Sequence, residues 1–96
     1  MPAYAIGRVQ IRNPSWLDEY RAKIQAVVAK HGGRFLVRGG AMETVEGTAP
    51  LPSAFVILEF PSMEHARAWY RDPDYAPLIQ LRQSGSDVEI VFVEGI

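Results

Sequence analysis

The order of apolar periodicities along this chain, strand–helix–strand–strand–helix–strand, predicts an α+β fold with a four-stranded antiparallel sheet and its helices on one face. Three observations carry the prediction. Residues 4–11, 34–38, 54–60 and 87–94 have strand length with alternating or continuous apolar residues. Residues 14–31 and 63–71 place apolar side chains at three-four spacing, as an amphipathic helix does. The run from Phe55 to Arg82, FVILEFPSMEHARAWYRDPDYAPLIQLR, changes from strand to helix spacing at Pro61, so a strand feeds a helix directly.

The first strand, Tyr4 to Ile11, puts Tyr4, Ile6, Arg8 and Gln10 on one side and Ala5, Gly7, Val9 and Ile11 on the other. Asn13-Pro14 follows as a helix start, with asparagine as cap and proline where its missing N–H costs little. The stripe Leu17, Tyr20, Ile24, Val27 and Val28 extends the helix to His31, and Gly32-Gly33 supplies a left-handed stop. Arg34 to Arg38 is the second strand. Gly39-Gly40 then predicts a bulge or bend, after which Ala41 to Glu46 resumes an extended pattern. The two prolines of Gly47 to Pro52 mark a loop. The third strand is Ala54 to Phe60, and Pro61-Ser62 caps a helix from Met63 to Arg71 that Asp72-Pro73 ends or bends. A short helix from Tyr75 to Gln83 is expected in spite of Pro77, and Asp87 to Glu94 is the last strand. This β-α-β-β-α-β order is the ferredoxin-like split βαβ.

Ninety-six residues make a single domain, 1–96. A composition of 48% hydrophobic and 22% charged residues excludes whole-chain disorder. A net charge of −1 argues against nucleic-acid binding, which needs a basic face to displace counterions. With no cysteine, disulfides and thiolate chemistry are excluded. The first residues, MPAYAIGRVQIRNP, lack the apolar core of a secretory signal, and no run has membrane-spanning length. The expectation is a cytoplasmic protein with no membrane partner.

Helices on one face leave the other bare, and a wet face should be polar at every second residue. Here Phe55 and Ile57 oppose Val56, Leu58 and Phe60, and Val88, Ile90 and Phe92 oppose Val91 and Val93, so both faces are apolar. Each large apolar side chain left in water forfeits ~1.5–3 kcal/mol. A second copy packed sheet to sheet through a two-fold axis would recover it, and a sheet curled over its own loops is the alternative.

The candidates for chemistry are few. His31 and His65 are isolated, without HxH or HxxxH spacing, so no metal is expected and helix-end roles account for both. Glu59, inside an apolar strand, needs a partner or a raised pKa, and is a candidate acid or base or else half of an ion pair. Arg38-Gly39-Gly40 could offer a guanidinium and free N–H groups to a carboxylate or phosphate, or be a bulge with a surface arginine. Trp69, Tyr70, Tyr75 and Arg82 could wall a site for an aromatic or carboxylate ligand, although Trp69 three residues after Ala66 is equally a core residue.

Taken in order, these residues resemble the domain-of-unknown-function 1330 family of the dimeric α+β barrel superfamily. The matching pieces are Tyr4, Arg38-Gly39-Gly40, Glu46-Gly47, Phe60-Pro61-Ser62, Ala66 with Trp69-Tyr70, Tyr75, Arg82 and Val93-Glu94-Gly95. The resemblance implies a ferredoxin-like fold, a dimer with sheets face to face (a dimeric α/β barrel), and no settled activity. The wider superfamily includes cofactor-free oxygenases, muconolactone isomerases and haem enzymes, but His31 and His65 fall on helix ends here, so no haem or other cofactor is expected. The functional expectation is a cavity between sheet and helices for a small anionic or aromatic molecule. Tyr4, Trp69, Tyr70 and Tyr75 would be its walls, Arg38, Gly39, Gly40 and Arg82 its anion-holding groups, and Glu59 its one internal proton-transfer group if the protein is a cofactor-independent enzyme. The alternative is a noncatalytic dimerisation or regulatory module with no ligand, in which the aromatics are all core.

Overall fold

The period-two segments form strands close to their predicted bounds. In a computed structural model describing Met1–Ile96 they are β1 (Ala3–Ile11), β2 (Arg34–Arg38), β3 (Ala54–Phe60) and β4 (Ser86–Glu94). All pairings are antiparallel and the order across the sheet is β2-β3-β1-β4. Three helices, α1 (Leu17–Lys30), α2 (Met63–Arg71) and α3 (Ala76–Gln83), pack on one face, so the fold is α+β and ferredoxin-like. None is long and apolar enough to cross a membrane.

Two local expectations are corrected, the start of α1 and the strand after Gly40, while the short helix after Pro73 and the bend at Gly39-Gly40 are present as read. Pro14–Trp16 is a 3-10 turn rather than the first turn of α1, because Asn13 Oδ1 accepts from the Ser15 N–H at 3.0 Å and closes a tighter turn. Pro77 does not weaken α3, since it lies in the first turn, where its missing N–H has no intrahelical partner to lose. Residues 41–53 contain no strand: Gly39 and Gly40, at φ 77° and 98°, lead the chain out of the sheet. The glycines make the bend, and a separate bulge lies before them. Phe35 faces Leu58 and Val37 faces Ile57, leaving Leu36 as the extra residue. Slipping the alternation by one moves Arg38 opposite Val56, onto the helix-covered face, whereas Arg34 faces Glu59 on the bare one.

The core lies between the helix-covered face and the helices, with Trp69, Tyr75, Phe60 and Val28 fully enclosed. Trp69 stacks on Tyr75 at 4.6 Å between centroids and tilts against Phe60 at 5.3 Å. The molecule is a slab of 35 × 35 × 17 Å, one sheet and one helical layer thick.

A polar clasp ties α1 to the α2–α3 link. The Asp72 carboxylate, 4% exposed, accepts from Lys30 Nζ at 2.9 Å, His31 Nε2 at 2.7 Å and the Asp74 N–H at 2.8 Å. Lys30, then His31 and the Asp74 amide, hold its pKa far below the ordinary carboxylate value. The unfolded chain therefore binds the extra proton first. The clasp contributes fully above the unfolded pKa of about 3.9 and is lost as pH falls towards the folded value. Asp72→Asn should lower the melting temperature at pH 7 and flatten its decline below about pH 4. Melting curves across pH check this, and a variant with the wild-type profile would remove the clasp from the account.

Candidate functional site

The covered face of β1 carries Ala3, Ala5, Gly7 and Val9, the smallest side chains at the middle of the sheet. Helices held off by Trp16, Tyr20, Ile24 and Trp69 do not sink to meet them, and a cavity of about 130 Å³ remains above Gly7. An atom added at Gly7 would meet Val56 O at 3.7 Å and Ile90 Cγ1 at 3.9 Å, so the floor is open for want of a side chain. Fifteen of the twenty lining residues are hydrophobic. The charged ones are Arg21, Arg38 and Arg82, and no acidic residue lines the space.

Arg82, from α3, is 5% exposed and makes no ion pair. Its Nε and Nη2 are buried without a hydrogen-bond partner. Burial works against its charge, but the Tyr75 and Tyr20 hydroxyls outweigh it, and its pKa stays above the ordinary value. Those hydroxyls are 2.8 Å apart. Burial raises both phenol pKa values, and for Tyr20 the neighbouring Tyr75 adds to it, so the pair is neutral and can donate one free O–H. The indole Nε1 atoms of Trp16 and Trp69 are also buried without partners. Indole and guanidinium nitrogens are donors only. The polar deficit around the cavity is thus entirely a deficit of acceptors.

The residues singled out in the sequence fall into three places. Trp69, Tyr75, Arg82, Arg38 and Gly39 line the cavity. Tyr70 lines an adjoining cleft of about 260 Å³ with Gln83 and Phe92, of which Arg82 is also a wall. Tyr4, Gly40 and Glu59 line neither. Tyr4 and Glu59 pair across the bare face, because even-numbered residues of β1 point away from the helices. Glu59 accepts from Arg34 Nε at 2.8 Å, the ion-pair alternative, and holds no place in the cavity. His31 binds Asp72, and His65 Nδ1 lies 2.6 Å from Ser62 Oγ at the start of α2. No cluster of three His, Asp or Glu side chains is arranged to hold a metal.

Sequence reasoning missed Gly7, Trp16, Arg21 and Phe35, and took Tyr20 only as part of an apolar stripe. A glycine at the centre of an apolar strand was the available signal. The others depend on the 3-10 turn and on the bulge, which no spacing announces.

The model of a family described as a domain of unknown function, DUF1330, matches residues 2–96. No curated protein matches the chain. Among solved structures, a protein of unknown function from Rhodopseudomonas palustris, RPA0582, is 20% identical, with a TM-score of 0.80 over 99% of this chain and 82% of that one. A dimeric ferredoxin-like protein of unknown function from Jannaschia sp. CCS1 is 13% identical, with a TM-score of 0.75 over 99% of this chain and all of that one. SnoaB, a cofactor-independent oxygenase from Streptomyces nogalater, is 14% identical, with a TM-score of 0.66 over 99% of this chain and 93% of that one. At these identities the likeness is one of fold.

Proposed function

Because the chain belongs to the DUF1330 family, whose description carries no activity, we propose from the cavity itself that the protein binds a small apolar molecule bearing an anionic group between its sheet and its helices. The observation that carries this is the buried Arg82 guanidinium, without a counter-ion and with Nε and Nη2 unpartnered, in the wall of an apolar cavity. A buried donor left unpaired costs about 1–3 kcal/mol and more when charged. A carboxylate or phenolate would supply the acceptor that Arg82 lacks. Size agrees: an apolar cavity of about 150 Å³ accommodates benzene, and the space here is about 130 Å³. Dense packing around Trp69 fits the ligand-free alternative equally well, but that alternative leaves Arg82 and the void without a reason. Were a cofactor-independent reaction to occur here, its protons would pass through Tyr20 and Tyr75, since Glu59 lies on the opposite face.

Benzoate is the simplest probe. It should raise the melting temperature and bind by calorimetry, with toluene weaker because it cannot satisfy Arg82. Gly7→Val should fold, since a β-branched residue suits a strand and the space is free, but should lose benzoate binding by about tenfold or more because its methyls occupy the floor. Benzoate binding equally to wild type and Gly7→Val would place the ligand elsewhere.

The same proposal includes a homodimer through the bare sheet face. Val91 and Val93 are 60% and 43% exposed there, beside Ile6 and Ile57. Arg8, Gln10, Asp87 and Glu89 gather towards the other end of that face. An apolar half and a mixed-charge half suit a self-complementary interface, and the Jannaschia relative in fold is dimeric.

A further inference from the structure

The sheet order turns the cavity's arginines into a spacing. The bulge at Leu36 puts Arg38 in register with Val56, Gly7 and Ile90, one row running from β2 across to β4 on the covered face. Four strands in a row span three gaps of ~4.8 Å, so the outer strands stand ~14 Å apart. Arg38 rises from the β2 end of that row, its guanidinium carbon 5.0 Å from the Phe35 ring centroid. Arg82 comes from α3, which packs on β4 at the other end. Arg21, on the exposed side of α1, also lines the cavity. Arg21 and Arg38 are exposed, and neither has an ion-pair partner. The cavity therefore has one cation sunk at one end, two at its mouth, and apolar walls between, within a chain of net charge −1.

We infer that the ligand is anionic at both ends: an apolar body, one ring or a short chain, with one acidic group against Arg82 and a second at the mouth between Arg21 and Arg38. The inference rests on the binding reading above and adds its second charge. Phe35 beneath Arg38 keeps the guanidinium over the opening at little cost, since a cation over a ring face is attracted to it. Gly39, with φ 77° and nothing within 4 Å of a side chain placed there, keeps the mouth free beside it. An ester or amide at that end would lose the charge-assisted hydrogen bonds while keeping the same bulk.

Terephthalate, monomethyl terephthalate and benzoate separate the two readings. By calorimetry, terephthalate should bind wild type about tenfold more tightly than its monomethyl ester, the effect of one charged hydrogen-bonded contact. In Arg38→Gln, a substitution at an exposed strand end, that ratio should fall to about one. Arg21→Gln should reduce the ratio as well. Arg67→Gln, which removes the same charge from an exposed position of α2 outside the cavity, should leave it alone. Equal affinities for diacid and ester in wild type, or an advantage that survives Arg38→Gln and Arg21→Gln together, overturns the second anionic group and leaves the first standing. An advantage that Arg67→Gln lowers as much as Arg38→Gln does is general attraction and overturns it too. If none of the three compounds binds, the binding reading itself falls and this inference with it.

Discussion

Arg82→Met is expected to leave the protein folded and no less stable while benzoate affinity falls on the order of 100-fold. The two halves of this result have one cause. In the unliganded protein Arg82 is charged, 5% exposed, and has two nitrogens without acceptors. The Tyr75 and Tyr20 hydroxyls favour its charge, but two nitrogens stay without acceptors, and replacing buried ionic groups with well-packed apolar side chains of similar volume is often neutral or stabilising by about 1–4 kcal/mol. Methionine is flexible enough to fill the vacated space beside Tyr75 and Tyr20. A residue kept for packing would behave in the opposite way, since its loss would lower stability and leave ligands indifferent. Thermal melts of both proteins with and without benzoate measure the two quantities in one experiment. A destabilised variant that still binds benzoate normally would identify Arg82 as a structural residue and remove the basis for an anion site.

How far the sequence led towards this site depends on what each residue required. Element identities came through because period two and period 3.6 are written in consecutive side chains, and the antiparallel sheet with helices on one face followed from β-α-β-β-α-β connectivity. Arg82, Tyr75 and Trp69 were legible as a group because one short run carries them all. Arg38 was legible as a candidate for the wrong reason. Its neighbouring glycines suggested a bulge or bend and do make the bend, but the bulge that turns it towards the helices is at Leu36; alternation alone would have left it beside Arg34 on the bare face. Glu59 is the converse case. It is a carboxylate in an interior strand, as read, but which face it occupies is set by register with Tyr4, and that face holds Arg34 rather than the cavity. Gly7 escaped notice because a missing side chain leaves no pattern, although it makes the room that the other residues surround. Register and absent volume are properties of the assembled sheet, and neither can be read from a chain taken one segment at a time.

Val91→Arg should convert the protein from a dimer to a folded monomer. Light scattering at micromolar concentration should give twice 10.7 kDa for wild type and 10.7 kDa for the variant. Val91 is 60% exposed in the single chain, directly across from Ile6, so a long charged side chain there meets water and strains nothing within one copy. Across a two-fold axis the same arginine would be carried into an apolar patch and face its own symmetry mate. Desolvating an unpaired charge costs several kcal/mol for each copy, and each valine removed forfeits about 1.5–3 kcal/mol of burial. Together these are comparable with the free energy of a micromolar complex, about 8 kcal/mol, so dissociation should be nearly complete. A variant that is monomeric but retains the wild-type far-ultraviolet spectrum and benzoate affinity would show that the helix-side cavity is whole within each copy. Wild type running as a monomer, or Val91→Arg still running at twice the chain mass, would mean that the bare face is not where two copies meet.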